Sequence, residues 1–403
     1  MTSIKRIAYG EKNMRKIIFL LLTLAAIVGM LAPFLGETHY YSSSLSLRKF
    51  SSYEELKGFL NASSQAIPRY GAEFLSATSQ SRSAFEASTT WGYSTTNIQV
   101  EGVDEADIIK TDGEYIYIIS ERNVTIVKAY PAEEARILSQ ISLNGTLKGA
   151  FINGDRLVIF EENPSSYGTT KTFIKVYDVS NRESLVLKRD ISLSGYYFNS
   201  RMIGDYVYAI INQPTYYQEK EVILPKIYSG DEAEEISAQD IYYSDVADYY
   251  YECTTVTAIN VQNDEQKPTY EPFLLGGTSA MYVSLNNIFI AVPVSERTSI
   301  HRIHIENGEI KYEASGEVPG YVLNQFSMDE YEGYFRIATS TGQLSWRLEE
   351  ATSQNHVYIL DMNLNIVGRL EDLAPGEKIY SARFMGNRCY LVTFKKVDPL
   401  FVI

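Results

Sequence analysis

Asp112-Gly113-Glu114-Tyr115-Ile116-Tyr117-Ile118 is a tight turn that runs into a strand of aromatic and branched residues, and the chain goes on to repeat it. Close copies stand at Asn153-Gly154-Asp155-Arg156-Leu157-Val158-Ile159 and Ile203-Gly204-Asp205-Tyr206-Val207-Tyr208-Ala209. Looser ones follow at Leu285-Asn286-Asn287-Ile288-Phe289-Ile290, Tyr331-Glu332-Gly333-Tyr334-Phe335-Arg336-Ile337 and Met385-Gly386-Asn387-Arg388-Cys389-Tyr390-Leu391. Gly, Asn and Asp at these turns supply the positive-φ positions that a hairpin needs. After each complete copy comes a second alternating strand, as at 124–127, 173–177, 256–259, 300–305 and 357–360. A third then runs into a Gly-containing break, as at 141–145, 191–195, 273–276, 316–320 and 370–376.

With the strand leading into each turn, the unit is about four strands per 40 to 50 residues, the period of propeller blades. A lone four-stranded meander with two apolar faces can bury neither, whereas sheets stacked face to face bury both. A β-sandwich does not account for so long a period recurring in one order. The expected fold is therefore all-β, a β-propeller of four-stranded blades with about five and a half blades over residues 97–403. The usage of Tyr, 32 residues, suits half-buried β surface. The last unit begins near Lys378 and stops at Ile403 inside a strand, so the expectation is a fragment of a longer chain that completes this blade and adds others.

Upstream, residues 1–16 are basic (Lys5, Arg6, Lys12, Arg15, Lys16) and 17–36 are uncharged, long enough to cross about 30 Å of hydrocarbon. The segment reads as a signal peptide or a transmembrane anchor, with Met1 or Met14 as the start. Membrane contact through 17–36 and an extracellular or secreted body follow. Residues 37–96 hold a short helix and a Ser/Thr-rich spacer: Ser52 and Glu55 form a capping-box pattern, and Tyr53, Leu56, Phe59 and Leu60 share one face that is expected to dock on the body.

The segment Thr96-Asn97-Ile98-Gln99-Val100-Glu101-Gly102-Val103-Asp104-Glu105-Ala106-Asp107-Ile108-Ile109-Lys110-Thr111-Asp112-Gly113, together with Lys396-Val397-Asp398-Pro399-Leu400-Phe401, resembles a family of secreted or membrane-anchored proteins with a C-terminal β-propeller. That family is distantly related to WD40 repeats and largely archaeal, with a biochemical role mostly uncharacterised. The resemblance covers about 97–403 and implies an exported propeller with more chain beyond Ile403. It brings no catalytic residues with it.

The net charge of −14 and the lack of clustered Lys and Arg exclude a nucleic-acid partner. Glu101, Asp104, Glu105 and Asp107 crowd one short stretch, a candidate Ca²⁺ site although the alternating order of a dedicated calcium loop is missing. The competing reading has Asp104 and Asp107 capping turns; otherwise no cofactor is indicated. His39, His301, His304 and His356 form no pattern, and His301 and His304 fall on opposite faces of one strand. Cys253 and Cys389 are too few for a disulfide framework. Asn61, Asn123 and Asn144 stand in glycosylation sequons.

The period breaks once, at an insert over 213–253 rich in acids and tyrosines. Insertions in repeat folds emerge as loops on one face. Tyr242, Tyr243, Tyr249, Tyr250, Tyr251, Asp245 and Asp248 are accordingly the candidate ligand-binding residues, since Tyr pairs a broad apolar ring with a polar tip. The functional expectation is an exported, tethered binding or scaffold module for a protein or glycan; the alternative is a secreted hydrolase or lyase using a propeller cleft.

Overall fold

The computed structural model describes residues 46–65, 98–164, 170–215, 217–218, 221–230, 232–244, 251–342, 353–394 and 400–403. Among them the turn-and-strand repeats each nucleate an antiparallel sheet. The strands after the turns are Tyr115–Ser120, Arg156–Pro164, Tyr206–Pro214, Asn287–Val294, Tyr334–Thr341 and Arg388–Phe394. Each pairs with the strand on either side of it in sequence, except where the insert intervenes. Gly154, Gly204 and Gly386 carry positive φ at three of the turns, and Gly113 and Gly333 do so at two others. At the position of Gly204 an alanine would strain the turn although nothing crowds its Cβ.

The first sheet contains Ile109–Thr111, Tyr115–Ser120, Asn123–Lys128 and Arg136–Ser142, and the fourth contains Ala280–Val283, Asn287–Val294, Arg297–Glu306 and Glu309–Pro319. The fifth runs over residues 321–373, and the sixth has Lys378–Met385, Arg388–Phe394 and Leu400–Val402. Side chains alternate across every sheet, so one parity faces the sheet before and the other the sheet after. Leu157 and Ile159 pack with Tyr117 and Ile119 of the first sheet, whereas Val158 and Phe160 pack with Val207 and Ala209 of the third. The core is thus a series of apolar layers, one per junction, each built from two facing sheets.

The insert departs from the expected projecting loop. Its strand Lys226–Ser229 pairs with Val186–Ser194 on the outer edge of the second sheet and carries Glu232–Glu235 beyond it. Tyr242–Tyr243 then runs parallel to Thr269–Leu275 on the outer edge of the third sheet. One stretch of chain therefore borders two neighbouring sheets, and its backbone groups are satisfied by theirs. A loop would have left them to water.

The segment ahead of the repeats also joins the body. Arg48–Lys49 pairs with Tyr242–Tyr243, extending the third sheet to seven strands, and helix α1 (Tyr53–Gln65) follows. Glu55 N–H donates to Ser52 Oγ at 3.2 Å, while Glu55 Oε2 accepts from Ser51 N and Ser51 Oγ at 2.7 Å each. This is the capping box shifted by one residue at its return bond. The two bonds from Ser51, with one from Tyr243 Oη, hold the Glu55 carboxyl down at about 2. Leu56 and Leu60 are buried in the layer between the second and third sheets, and Phe50 stacks on Tyr243 with centroids 3.7 Å apart.

Phe50 is 2% exposed. Phe50→Ala removes a whole buried ring and should cost about 3 to 5 kcal/mol, read as a lowered denaturant midpoint at unchanged slope. An unchanged midpoint would mean that the strap contributes nothing to the body it rests on.

Candidate functional site

The acid-rich stretch 101–112 lies along the inner edges of the sheets. Asp104–Glu105 pairs with Tyr196–Ile203, the inner strand of the third sheet, and Asp107 bridges to Ala150 in the inner strand of the second. Asp104 offers both carboxylate oxygens to the buried Lys110 Nζ, at 2.7 and 2.8 Å, and Oδ1 also accepts the Glu105 N–H. Glu105 faces Arg201, which is buried and reaches Gln325 Oε1 at 2.9 Å and Asn199 Oδ1 at 2.8 Å. Gln325 Nε2 returns to Glu105 Oε2 at 3.3 Å, and Gln99 Nε2 donates to Gln325 O and Met328 O.

These four acids therefore diverge. Glu101 and Asp107 are exposed, while Asp104 and Glu105 answer two different cations of the chain itself. Asp107 Oδ1 caps the N–H of Ile108 at 2.7 Å. Among the described residues no group of three or more His, Cys, Asp or Glu comes together to hold a metal ion. What the arrangement does is join sheets: residues 99–111 bond or pack to the first, second, third and fifth, and Val103 adds the layer between the third and fourth.

Of the tyrosine candidates, Tyr243 is 1% exposed and spends its hydroxyl on Glu55 Oε1 at 2.7 Å. Tyr251 is buried with its ring edge-on to Phe59. Tyr242 stacks on Phe273, with Lys49 Nζ 4.5 Å from its centroid. Tyr249, Tyr250, Asp245 and Asp248 lie outside the described residues. The placed rings thus form the seat of the residue 46–65 strap.

Beside that seat opens a groove of about 830 Å³ between the start of α1 and the insert. Ile223 and Leu224 line it, with Ile223 56% exposed. Tyr53 forms one wall, fixed by its hydroxyl, which donates to Val222 O at 3.1 Å and accepts from Val222 N at 2.9 Å. A Lys226–Glu235 ion pair at 3.1 Å and the Gln239 amide supply polar groups on the rim. Ile223, Lys226 and Gln239 escaped the sequence analysis, which weighed the insert by its tyrosines. The short run Val222-Ile223-Leu224-Pro225, apolar inside an acidic stretch, was the available signal.

Two histidines sit against hydroxyls. His301 Nδ1 is 2.7 Å from Ser315 Oγ, and Ser315 Oγ is 3.0 Å from Tyr312 Oη, which accepts the Leu47 N–H at 3.1 Å. His356 Nε2 is 2.9 Å from Thr341 Oγ1. Both rings are buried, so neither pair is open to a substrate. Burial holds His301 neutral, down at about 4, and pushes the Cys253 and Cys389 thiols up to about 12 and about 11. The two cysteines are free and pack in different layers. Of the sequon residues, Asn144 is exposed in a turn, Asn123 accepts from Ser142 Oγ at 2.6 Å, and Asn61 is half-buried on α1.

The buried imidazole sets an acid dependence. Its folded pKa lies below its unfolded one, so between them the unfolded chain binds the extra proton and stability falls as pH drops from about 6.5 to about 4. The loss attributable to His301 should approach roughly 3 kcal/mol. His301→Gln should flatten that part of the melting-temperature profile; a profile parallel to wild type would show that this ring does not titrate on unfolding.

A family model described as a beta propeller domain matches residues 93–403. An uncharacterized protein of Methanocaldococcus jannaschii is 29% identical over 388 residues, a match covering 77% of this chain and 59% of the relative. A second uncharacterized protein, from Archaeoglobus fulgidus, is 24% identical over 497 residues, covering 97% of this chain and 76% of the relative. Among solved structures, a hypothetical selenium-binding protein from Sulfolobus tokodaii has a TM-score of 0.35 at 12% identity, covering 70% of this chain and 67% of that one. The beta-propeller domain of the Trilobed protease from Pyrococcus furiosus has a TM-score of 0.23 at 11% identity, covering 64% and 82%.

Proposed function

Because the chain belongs to the beta propeller domain family, we propose that it is an exported β-propeller, tethered by residues 17–36, that binds a protein or glycan outside the cell. Residues 17–36 lie outside the described residues, and among those no helix is long and apolar enough to cross a membrane. The anchor is supported by sequence: a basic flank followed by an uncharged stretch of spanning length. Among the described residues six blade-like sheets, the last with three strands, support the count of about five and a half blades.

The observation that carries the binding reading is the groove between the strap and the insert. Exposed Ile223 gives it an apolar anchor point, and a paired Lys226 and Glu235 frame that point with groups able to accept and donate hydrogen bonds. Apolar ground bordered by a few oriented polar groups is the usual character of a recognition surface. The groove has two walls of different origin, so a ligand seated there contacts the tether segment and the propeller together.

The test is a glycan and cell-surface-protein screen on the full chain in lipid nanodiscs, followed by affinity measurement on any ligand captured. Ile223→Asp combined with Lys226→Glu should weaken capture at least tenfold while leaving the circular dichroism spectrum unchanged. Capture at wild-type strength would remove the groove from consideration, and a screen without ligands would remove the binding role.

A further inference from the structure

Asn61, Asn123 and Asn144 each stand two residues before a Ser or Thr, and the fold treats the three differently. Asn61 lies inside helix α1 with Ser63, and a spacing of two sends the amide and the hydroxyl off opposite sides of a helix. Ser63 Oγ is also spent on Phe59 O at 2.9 Å. Asn123 opens the strand Asn123–Lys128 and is paired on both sides, opposite Ser120 and Ser142. Its Oδ1 accepts from Ser142 Oγ at 2.6 Å.

Asn144 lies in the connection between Arg136–Ser142 and Thr146–Asn153. Backbone bonds fix that turn on either side: Leu143 N–H donates to Arg122 O at 2.8 Å and Leu147 N–H to Glu121 O at 3.2 Å. Gly145 N–H donates to Glu161 Oε1 at 2.6 Å, and a Cβ at this position would lie 2.1 Å from Asn163 Oδ1, so packing itself demands the glycine. The side chains of Asn144 and Thr146 are exposed, and among the described residues neither makes a hydrogen bond. The fold therefore holds the backbone of this sequon and leaves to solvent the two groups that define it. Beside it a cleft of about 500 Å³, lined by Glu121, Arg122, Asn123, Ser142, Leu143 and Thr146, gives room for sugar residues against polar groups able to bond their hydroxyls.

We propose that Asn144 is the residue at which the folded chain accepts an N-linked glycan. The step joins Asn144 Nδ2 to the anomeric carbon of an oligosaccharide carried on a lipid phosphate. The anomeric C–O bond breaks, the lipid phosphate leaves with its electron pair, and the amide gives up one proton. A bulky polar adduct belongs on the surface, and a transferase that grips amide and hydroxyl together needs both of them free at one turn. Asn144 with Thr146 meets both conditions, whereas Asn61 and Asn123 have their partners diverging or locked in a ladder. In the cell this rests on the exported location proposed above, where such donors are consumed.

The experiment follows the peptides that contain residues 61, 123 and 144 by mass spectrometry in two preparations of the full chain. One is folded protein in nanodiscs, given an oligosaccharyltransferase and its lipid-linked oligosaccharide, with a free sequon peptide as positive control. The other is protein recovered from host cells that carry such a transferase. Sugar should appear on the residue 144 peptide in both, with the other two peptides bare. Thr146→Val should abolish the addition and leave the circular dichroism spectrum unchanged. A bare residue 144 peptide in the purified reaction overturns the proposal, and so does sugar that persists in Thr146→Val. Sugar in the purified reaction but none in cells is resolved by adding protease to intact cells. If the protease fails to cut the propeller, the exported location fails and the acceptor site stands; if it does cut, the proposal is overturned.

Discussion

A sheet that is apolar on both faces must find cover for both, and the rest of this structure follows from that constraint. Branched and aromatic side chains at consecutive positions, as in Leu157-Val158-Ile159-Phe160, would be an error in a sheet with one wet face. Here all four are fully buried because the sheets on either side take alternate residues. Each layer depends on two sheets, and each sheet from the second to the fifth on two layers, which makes the series cooperative over many strands. The same requirement accounts for the aromatic content: Phe289 stacks on Phe335 across one junction with centroids 4.2 Å apart, filling space that aliphatic chains alone would leave open.

That constraint acts on patterns a sequence displays openly, so the strands were legible. Turn residues, alternation and period placed the strand after every turn, from Tyr115–Ser120 through Arg388–Phe394, near its observed bounds. What the pattern could not convey is which residues meet across distance. Asp104 and Glu105 stand out as acids in a cluster, and a cluster of acids suggests a cation from solution. Their partners are Lys110, six residues on, and Arg201, in the inner strand of the third sheet. A strand turning a side chain inward at position 201 leaves no mark in residues 101–112.

The insert illustrates the same limit in another form. Its composition, acidic with many tyrosines, is that of a solvated loop, and composition was all the sequence offered. Its strands Lys226–Ser229 and Tyr242–Tyr243 are short, and neither has the length or alternation that makes a strand visible by itself. They form because the outer edges of the second and third sheets present unpaired backbone groups, a template that exists only once the repeats have folded. The tyrosines are then drawn inward to meet Phe50 and Phe59 from the strap, two rings that lie almost two hundred residues away in sequence.

Placing the strap on the insert has a mechanical consequence for a chain with a basic and apolar leader. Arg48–Lys49 is joined to the body by backbone pairing, by Lys49 with Glu271 at 3.6 Å and by the Phe50 ring, so any pull arriving from the N-terminal side is delivered to the outer edge of the third sheet. Tyr312 Oη, which accepts from Leu47, carries that attachment on to Ser315 and His301 inside the fourth sheet. The strap is therefore anchored on two sheets. The Tyr53 wall of the groove beside α1 stays in place only while residues 46–65 are seated, because the phenol is held by both backbone groups of Val222. The groove and the docking of residues 46–65 thus rest on one contact, and a change that unseats the strap must alter both together.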